Sequence, residues 1–304
     1  MALNVKHMKS LSKKAIAVYS SMVVGIFAVS SLVAAPFFMS KANPDKALYP
    51  EMALIPGGML ETENSARERT KERIAPFYLD KNLVTVAEFD AFVKATGYTT
   101  EAEKFGNSGV FNFQKHGWDI EEGANYLYPF GKDKPAAQPD HPVTQVSWND
   151  ARAYAAWRGK RLPTQWEWEW AAMNGQQSEQ VYTWGNQLME GGKYKANTWQ
   201  GAFPAYNTLQ DGYEATSPVG AFGENKMGLT DMGGNVWQWC HDDVAPNQAD
   251  ASLDPGIRKV LRGGSFLCDP GVCHGYQIKG RASSTPESAM VHIGFRCAKD
   301  INQD

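Results

Sequence analysis

The stretch SWNDARAYAAWRGKRLPTQWEWEWAA, residues 147–172, decides the fold class. It holds two helix starts. Ser147-Trp148-Asn149-Asp150 opens a helix that runs through Tyr154 and Trp157 towards Gly159. Thr164-Gln165-Trp166-Glu167 is a capping box, in which the threonine hydroxyl takes an orphan amide and the glutamate reaches back to the cap. The helix it opens carries Trp166 and Trp170 on one face and stops at Gly175. Upstream, Thr85-Val86-Ala87-Glu88 repeats the pattern, with Phe89, Phe92 and Val93 at helical spacing before Gly97. These helices are amphipathic, and their aromatic residues read as core rather than as ligand contacts.

Outward from these helices the signals weaken. Met52 to Pro56 reads as a short strand with a turn at Gly57-Gly58, and FYLDKNLVTV, residues 77–86, as a second strand. Residues 105–140 show no sustained periodicity and read as a long surface excursion, a kind of segment that is often functional. After Gly175 the chain becomes short runs punctuated by Gly, Asn, Asp and Trp, with no repeat. The class is therefore α+β: helices first, then an irregular half with short strands. Such a half needs something besides strand ladders to satisfy its backbone. Bound calcium is one device, because hard cations take carbonyl oxygens as ligands.

The 304 residues carry a net charge of −3, so no broad basic face suggests nucleic acid. Lys6, Lys9, Lys13 and Lys14 precede an uncharged run from Ala15 to Met39. That is the pattern of a secretory signal or signal anchor, with the lysines on the cytoplasmic side. The expected organisation is a signal peptide or anchor over 1–39, a polar linker over 40–50 and one large domain over 51–304. The domain would be exported and periplasmic, soluble or tethered to the inner membrane, where disulfides persist.

Two of the four cysteines lie five positions apart in GGSFLCDPGVC, residues 263–273. Such a pair can be a small disulfide, a metal clamp or a redox couple. Asp269-Pro270-Gly271 supplies the turn between them, Pro fixing φ and Gly accepting positive φ. The other ionisable residues form no pattern of this kind. There is no His-x-x-x-His pair and no Gly-x-Ser-x-Gly; His141, in Pro-Asp-His-Pro, reads as a turn residue, and His292 as a packing or solvated histidine with a functional role as the alternative.

The runs TGYTTEAEKFG (96–106), PDHPVTQVSWNDARAYAAWRGKRLPTQWEWEWAA (139–172), GGNVWQW (233–239), GGSFLC (263–268) and IGFRC (293–297) resemble the formylglycine-generating enzyme family, the sulfatase-modifying factors. GKRLPT before a Trp/Glu-rich helix also occurs in relatives with other activities; the pair Cys268 and Cys273 with Cys297 downstream is the specific feature. The resemblance implies an elaborated C-type-lectin-like fold with little regular secondary structure. It implies oxidation of a cysteine in a Cys-x-Pro-x-Arg segment of an unfolded sulfatase to Cα-formylglycine by molecular oxygen. It implies copper(I) on Cys268 and Cys273, and thiolates suit that soft ion. By family position Ser265 lies at the active site, Trp237 lines it, and Arg281 is a candidate wall of the substrate groove. One calcium site would use the side chains of Asn197 and Asp211 with backbone oxygens of Thr198 and Tyr213. A second would use Asp231, Gly234, Val236 and Gln238. For both, ion-free Asx turns are the alternative.

This chain departs from the pattern in three places. The inter-cysteine segment Asp-Pro-Gly-Val lacks the His/Arg/Ser/Tyr-type residues more usual in sulfatase-modifying members. Gln238 stands where the family usually has Glu. Ala155, Ala172 and Ile278 stand where the animal enzymes have cysteines, which leaves a Cys240–Cys297 bridge as the expected pairing. Two rival functions follow: a periplasmic relative that matures a siderophore precursor, like the pyoverdine-maturation member, and a non-catalytic lectin-like binding module.

Overall fold

A computed structural model describes residues 49–63, 69–244 and 257–301. The expected signal or anchor over 1–39, and the linker up to residue 48, lie outside the described residues. Among those residues no helix is long and apolar enough to cross a membrane.

The chain enters through β1 (Met52–Ile55), the hairpin β2 (Gly58–Glu63) and β3 (Arg69–Ile74), and β4 (Phe77–Asp80). Helices α1 (Val86–Thr96) and α2 (Glu101–Phe105) follow, then a hairpin of β5 (Asn107–Asn112) and β6 (Gly117–Glu122). Helices α3 (Trp148–Trp157) and α4 (Gln165–Ala172) complete the helical half. Two minimal hairpins come next, β7 (Met189–Glu190) with β8 (Lys193–Tyr194), and β9 (Gly201–Ala202) with β10 (Tyr206–Asn207). The chain ends with β11 (Trp237–Asp243), β12 (Lys259–Arg262), β13 (Arg281–Ser284), β14 (Ile293–Gly294) and β15 (Ala298–Asp300).

Two sheets organise these elements. β4 lies between β1 and β15, so the two ends of the domain are antiparallel partners in one sheet. The other sheet has the order β13-β12-β11-β14, with only the β11–β14 pair parallel. Alternation along its central strands separates two cores. Trp237, Trp239 and Leu261 face a cluster built on α1 and α3 with Phe89, Phe92 and Tyr154. Cys240 and Val260 face the opposite cluster, with Trp168 and Trp170 of α4 and Ile55, Leu60 and Leu79. A third cluster joins Phe111 of β5 to Trp199, Phe266, Leu267 and Val291.

The capping boxes at Thr85, Ser147 and Thr164 are all formed, and Gly97 closes α1 in the left-handed conformation. A fourth, Thr100 with Glu103, opens α2 and carries a signal that the sequence reading passed over. Other expectations are revised. The strand expected over 77–86 stops at Asp80; the Val84 amide leaves to bond the Phe295 carbonyl at 3.0 Å. The excursion 105–140 contains the β5–β6 hairpin, whose inner strand is buried and bonded to residues 289–291. On α4 the deepest tryptophan is Trp168, fully buried, rather than Trp166.

Candidate active site at the Cys268–Cys273 turn

β12 delivers the chain into Gly263 (φ 93°) and Gly264 (φ 66°), both in the left-handed region that glycine tolerates. A side chain at Gly264 would collide with the Tyr276 amide. Ser265, fully buried, then shapes the approach: its carbonyl accepts from the Cys268 amide at 2.9 Å and its Oγ from the Leu267 amide at 3.3 Å. The Phe266 amide bonds the Asn235 carbonyl (3.0 Å) and the Trp199 amide bonds the Cys268 carbonyl (3.0 Å), so Cys268 is fixed from both sides.

The loop between the cysteines is organised by Asp269. Its Oδ1 accepts from the amides of Gly271 (2.9 Å) and Val272 (2.7 Å), and its carbonyl accepts from the Cys273 amide (2.9 Å). This is an Asx turn. Gly271 stays outside the left-handed region, so the expectation that glycine's freedom makes this turn is replaced by a carboxylate that gathers amides. The result brings the two sulfurs together: Cys268 and Cys273 are disulfide-bonded with their Cα atoms 4.8 Å apart. Cys268 is buried; Cys273 is only partly so and receives the Gly275 amide at 3.4 Å from Sγ. The pair therefore converges and opens to solvent on the Cys273 side.

Trp237 forms the inner wall. It shares a core cluster with Cys268 and Tyr276, and a side chain at Gly275 would collide with its six-membered ring. Tyr276 extends the wall outward by stacking on Tyr182 (5.7 Å, 9°), which stacks on Trp184 (5.1 Å, 6°). The roles of Asp269, Gly275 and this aromatic ladder were not read from sequence. An Asx signal was present at Asp269; nothing local marked the others.

The profile of the sulfatase-modifying factor enzyme 1-like domain matches residues 38–301 of this sequence. The chain belongs to that family. It is 40% identical over 305 residues to the formylglycine-generating enzyme of Streptomyces coelicolor, covering 89% of this chain and 97% of the relative. It is also 38% identical over 282 residues to a mouse relative named inactive Cα-formylglycine-generating enzyme 2, covering 84% of this chain and 87% of that one. Among solved structures, PvdO from Pseudomonas aeruginosa superposes with a TM-score of 0.58 at 26% identity, over 82% of this chain and 94% of that one. The fold is the one shared by this family.

Not every family position serves the cysteine turn. Arg281 on β13 donates to the buried Glu169 carboxylate (3.1 Å) and to Thr62 Oγ1 (3.2 Å), and its guanidinium lies 4.6 Å from the Trp166 ring centre. Glu169 is shared with the fully buried Arg262. The structure thus joins the partly exposed Arg281 to the buried pair Glu169–Arg262 on the α4 side of the sheet. The expected Cys240–Cys297 bridge is corrected: both residues are free, buried thiols, because Cys240 faces the α4 core from β11 while Cys297, between β14 and β15, packs in the α1–α3 core. Ala155, which stands where animal relatives have a cysteine, packs in the same cluster as Cys297. His292 behaves as a packing residue. Its ring lies 4.8 Å from that of Trp118, its Nδ1 is buried without a partner, and burial pushes its pKa down to about 3. His141 sits in a turn with Nδ1 2.8 Å from Thr216 Oγ1.

The two expected calcium positions differ. At the first, Asn197 Oδ1 is buried with no partner, and Asp211 accepts from the Thr198 amide (3.0 Å), the Tyr213 amide (3.0 Å) and Gln200 Nε2 (2.7 Å). Burial raises the Asp211 pKa against the pull of those donors. At the second, Asp231 adopts φ 50°, Gly234 φ 82°, and Val236 and Gln238 are fully buried. Among the described residues no three or more His, Cys, Asp or Glu side chains group as a metal centre.

Proposed function

We propose that this chain oxidises a cysteine in a Cys-x-Pro-x-Arg segment of a sulfatase to Cα-formylglycine with molecular oxygen, using copper(I) held by the reduced Cys268 and Cys273. The observation that carries the reading is the convergence of two sulfurs on one turn that is open to solvent at Cys273. Identity alone does not decide activity, since a relative named inactive is 38% identical.

The donor set fits the ion, because two thiolates suit a soft monovalent metal and leave it coordinatively open. Bound there, copper(I) would supply a soft centre able to take a third thiolate and pass electrons to oxygen. The protein's own residues supply the rest. Asp269 fixes the spacing of the two sulfurs, burial of Cys268 shields one side from water, and Trp237 with Gly275 closes the inner wall. The exposed side at Cys273 is where an unfolded client would bring its thiol. In the overall balance, the client's CH2–SH group, one molecule of oxygen, two electrons and two protons become the aldehyde, hydrogen sulfide and one water. A reductant is therefore required. The disulfide form would be a resting state that reduction converts to the metal-binding pair.

The basic N-terminal segment and the uncharged run after it support export to the periplasm. A siderophore-maturing reading has the likeness to PvdO and the altered Asp-Pro-Gly-Val segment in its favour. A lectin-like module without catalysis would give the convergent cysteines no role. The deciding experiment incubates the protein with copper(I), oxygen, reductant and a Cys-x-Pro-x-Arg peptide, with Cys268→Ser and Cys273→Ser as controls. Mass spectrometry should show thiol replaced by aldehyde for wild type only. A copper-loaded wild type that leaves the peptide unchanged refutes the sulfatase reading.

A further inference from the structure

We infer that this chain holds one hard cation rather than two: the Gln238 carboxamide closes the position formed by Asp231, Gly234, Val236 and Gln238, while the position of Asn197, Thr198 and Asp211 stays available. The inference concerns ion count and does not depend on the reaction proposed above.

Gln238 is fully buried, and both the oxygen and the nitrogen of its amide are engaged. Oε1 accepts from Trp168 Nε1 at 2.9 Å and from Arg296 Nε at 2.8 Å. An amide oxygen has two lone pairs, and both are taken. Nε2 donates to the Asp231 carbonyl at 2.8 Å. The amide cannot be flipped, because an NH2 group in place of the oxygen would face an indole N–H and a guanidinium N–H, neither of which accepts. A donor therefore points at the carbonyl of Asp231, one of the residues expected to hold the ion.

The surroundings reinforce this. Arg296 is itself a buried cation that collects carbonyls: Nη1 donates to Asp80 O (3.1 Å) and Lys81 O (2.9 Å), and Nη2 to Thr230 O (2.6 Å). The Asp231 carboxylate accepts from the Gly220 amide (2.7 Å) and from Asn235 Nδ2 (3.3 Å). A divalent ion here would meet the fixed positive charge of Arg296 and the donor side of the Gln238 amide.

The first position has the opposite character. Asn197 uses Nδ2 on Ala215 O (2.8 Å) and Asn235 Oδ1 (3.3 Å), which fixes its amide and leaves Oδ1 buried and unpartnered. An oxygen in that state is what a hard cation relieves. Gln200 Nε2 lies between Thr198 O and Asp211 Oδ2, in contact with both. Its own oxygen is held by one amide, that of Asp211 at 3.2 Å, so Gln200 can be displaced where Gln238 cannot.

The test is calcium stoichiometry by native mass spectrometry and titration calorimetry on chelator-stripped protein, with magnesium in excess to suppress weak surface binding. Wild type should bind one ion, Asp211→Asn none, and Gln238→Glu two. The new carboxylate can keep one oxygen for Trp168 and Arg296 and present the other where Nε2 stood. Should Gln238→Glu fail to fold, Asp231→Asn serves instead, and its count should remain one. Two ions or none on wild type, one ion retained by Asp211→Asn, or loss of the ion in Asp231→Asn would each overturn the inference.

Discussion

Gly275→Ala isolates the coupling between the active-site wall and the cysteine turn. Gly275 does not occupy the left-handed region, so alanine adds no backbone strain and the effect is steric alone. The added Cβ would collide with the Trp237 six-membered ring and come within 3.0 Å of Gly264 Cα. Neither neighbour can retreat: Trp237 is buried in the α1–α3 core, and Gly264 is itself pressed against the backbone of residues 275 and 276. Overpacking by a methyl group costs about 1–3 kcal/mol, and a rigid indole on one side with backbone on the other puts this site near the upper end. For a domain of this size each kcal/mol moves Tm by about 2–4 °C, so a fall of about 6–12 °C is expected. Activity should fall further than the folded fraction, because the Gly275 amide contacts Cys273 Sγ and its displacement shifts one sulfur against the other. Differential scanning calorimetry gives the first quantity and the peptide assay, normalised to folded protein, the second. Trp237→Phe in the same chain shortens the ring and should restore part of the lost Tm, a positive coupling in a double-mutant cycle. A Gly275→Ala protein with wild-type Tm and turnover would falsify the wall assignment.

Three further outcomes are expected. Glu169→Gln leaves Arg262 buried without its carboxylate and should cost about 3–5 kcal/mol in urea unfolding, while Arg281→Ala, partly exposed and sharing that carboxylate, should cost about 1 kcal/mol with KM for the peptide unchanged; a raised KM at unchanged stability would return Arg281 to the substrate groove. His292 has a folded pKa near 3 against an ordinary 6.5, so the unfolded chain binds the extra proton. Its stabilising contribution is complete above pH ~6.5 and is lost as pH falls from there towards 3; His292→Phe should flatten that acid limb, and superimposable limbs would show that the ring titrates in solvent. Burial raises the pKa of both Cys240 and Cys297, so Ellman's reagent without reductant should find no thiol in native protein and two in denaturant, whereas none in denaturant would mean that they are bridged.

The helical half was legible because its signals are local. A capping box places donor and acceptor three residues apart, so Thr85, Ser147 and Thr164 announce helices without reference to the rest of the chain. The strands were not, because their partners are remote: β4 pairs with β15 more than two hundred residues later, and β11 takes its parallel neighbour from β14. Hence the strand expected over 77–86 is too long, since nothing in Val84 says that its amide belongs to Phe295. The cysteine pair was legible for the same reason as the helices, as two thiols on either side of an Asp-Pro-Gly turn, although the turn is made by the Asp269 carboxylate rather than by the Pro and Gly that announced it. Gly264 and Gly275 were not, because the need for glycine there comes from Trp237 and Tyr276 arriving from elsewhere.

The irregular half poses the backbone question most sharply. Buried side-chain amides and one guanidinium satisfy several of its loop carbonyls. Gln145 donates to Gly109 O and Pro129 O, Asn235 both donates to Ser217 O and accepts from its amide, and Arg296 gathers three carbonyls. Each carries donors, acceptors or both in fixed geometry, so each can replace part of a coordination sphere without an ion. Gln238 and Trp237 are neighbours on β11 that point to opposite faces, one an internal plug among Asp231, Trp168 and Arg296 and the other in the core cluster that holds Cys268. An internal plug there ties the strand that carries Trp237 to the packing of Trp168 and Arg296.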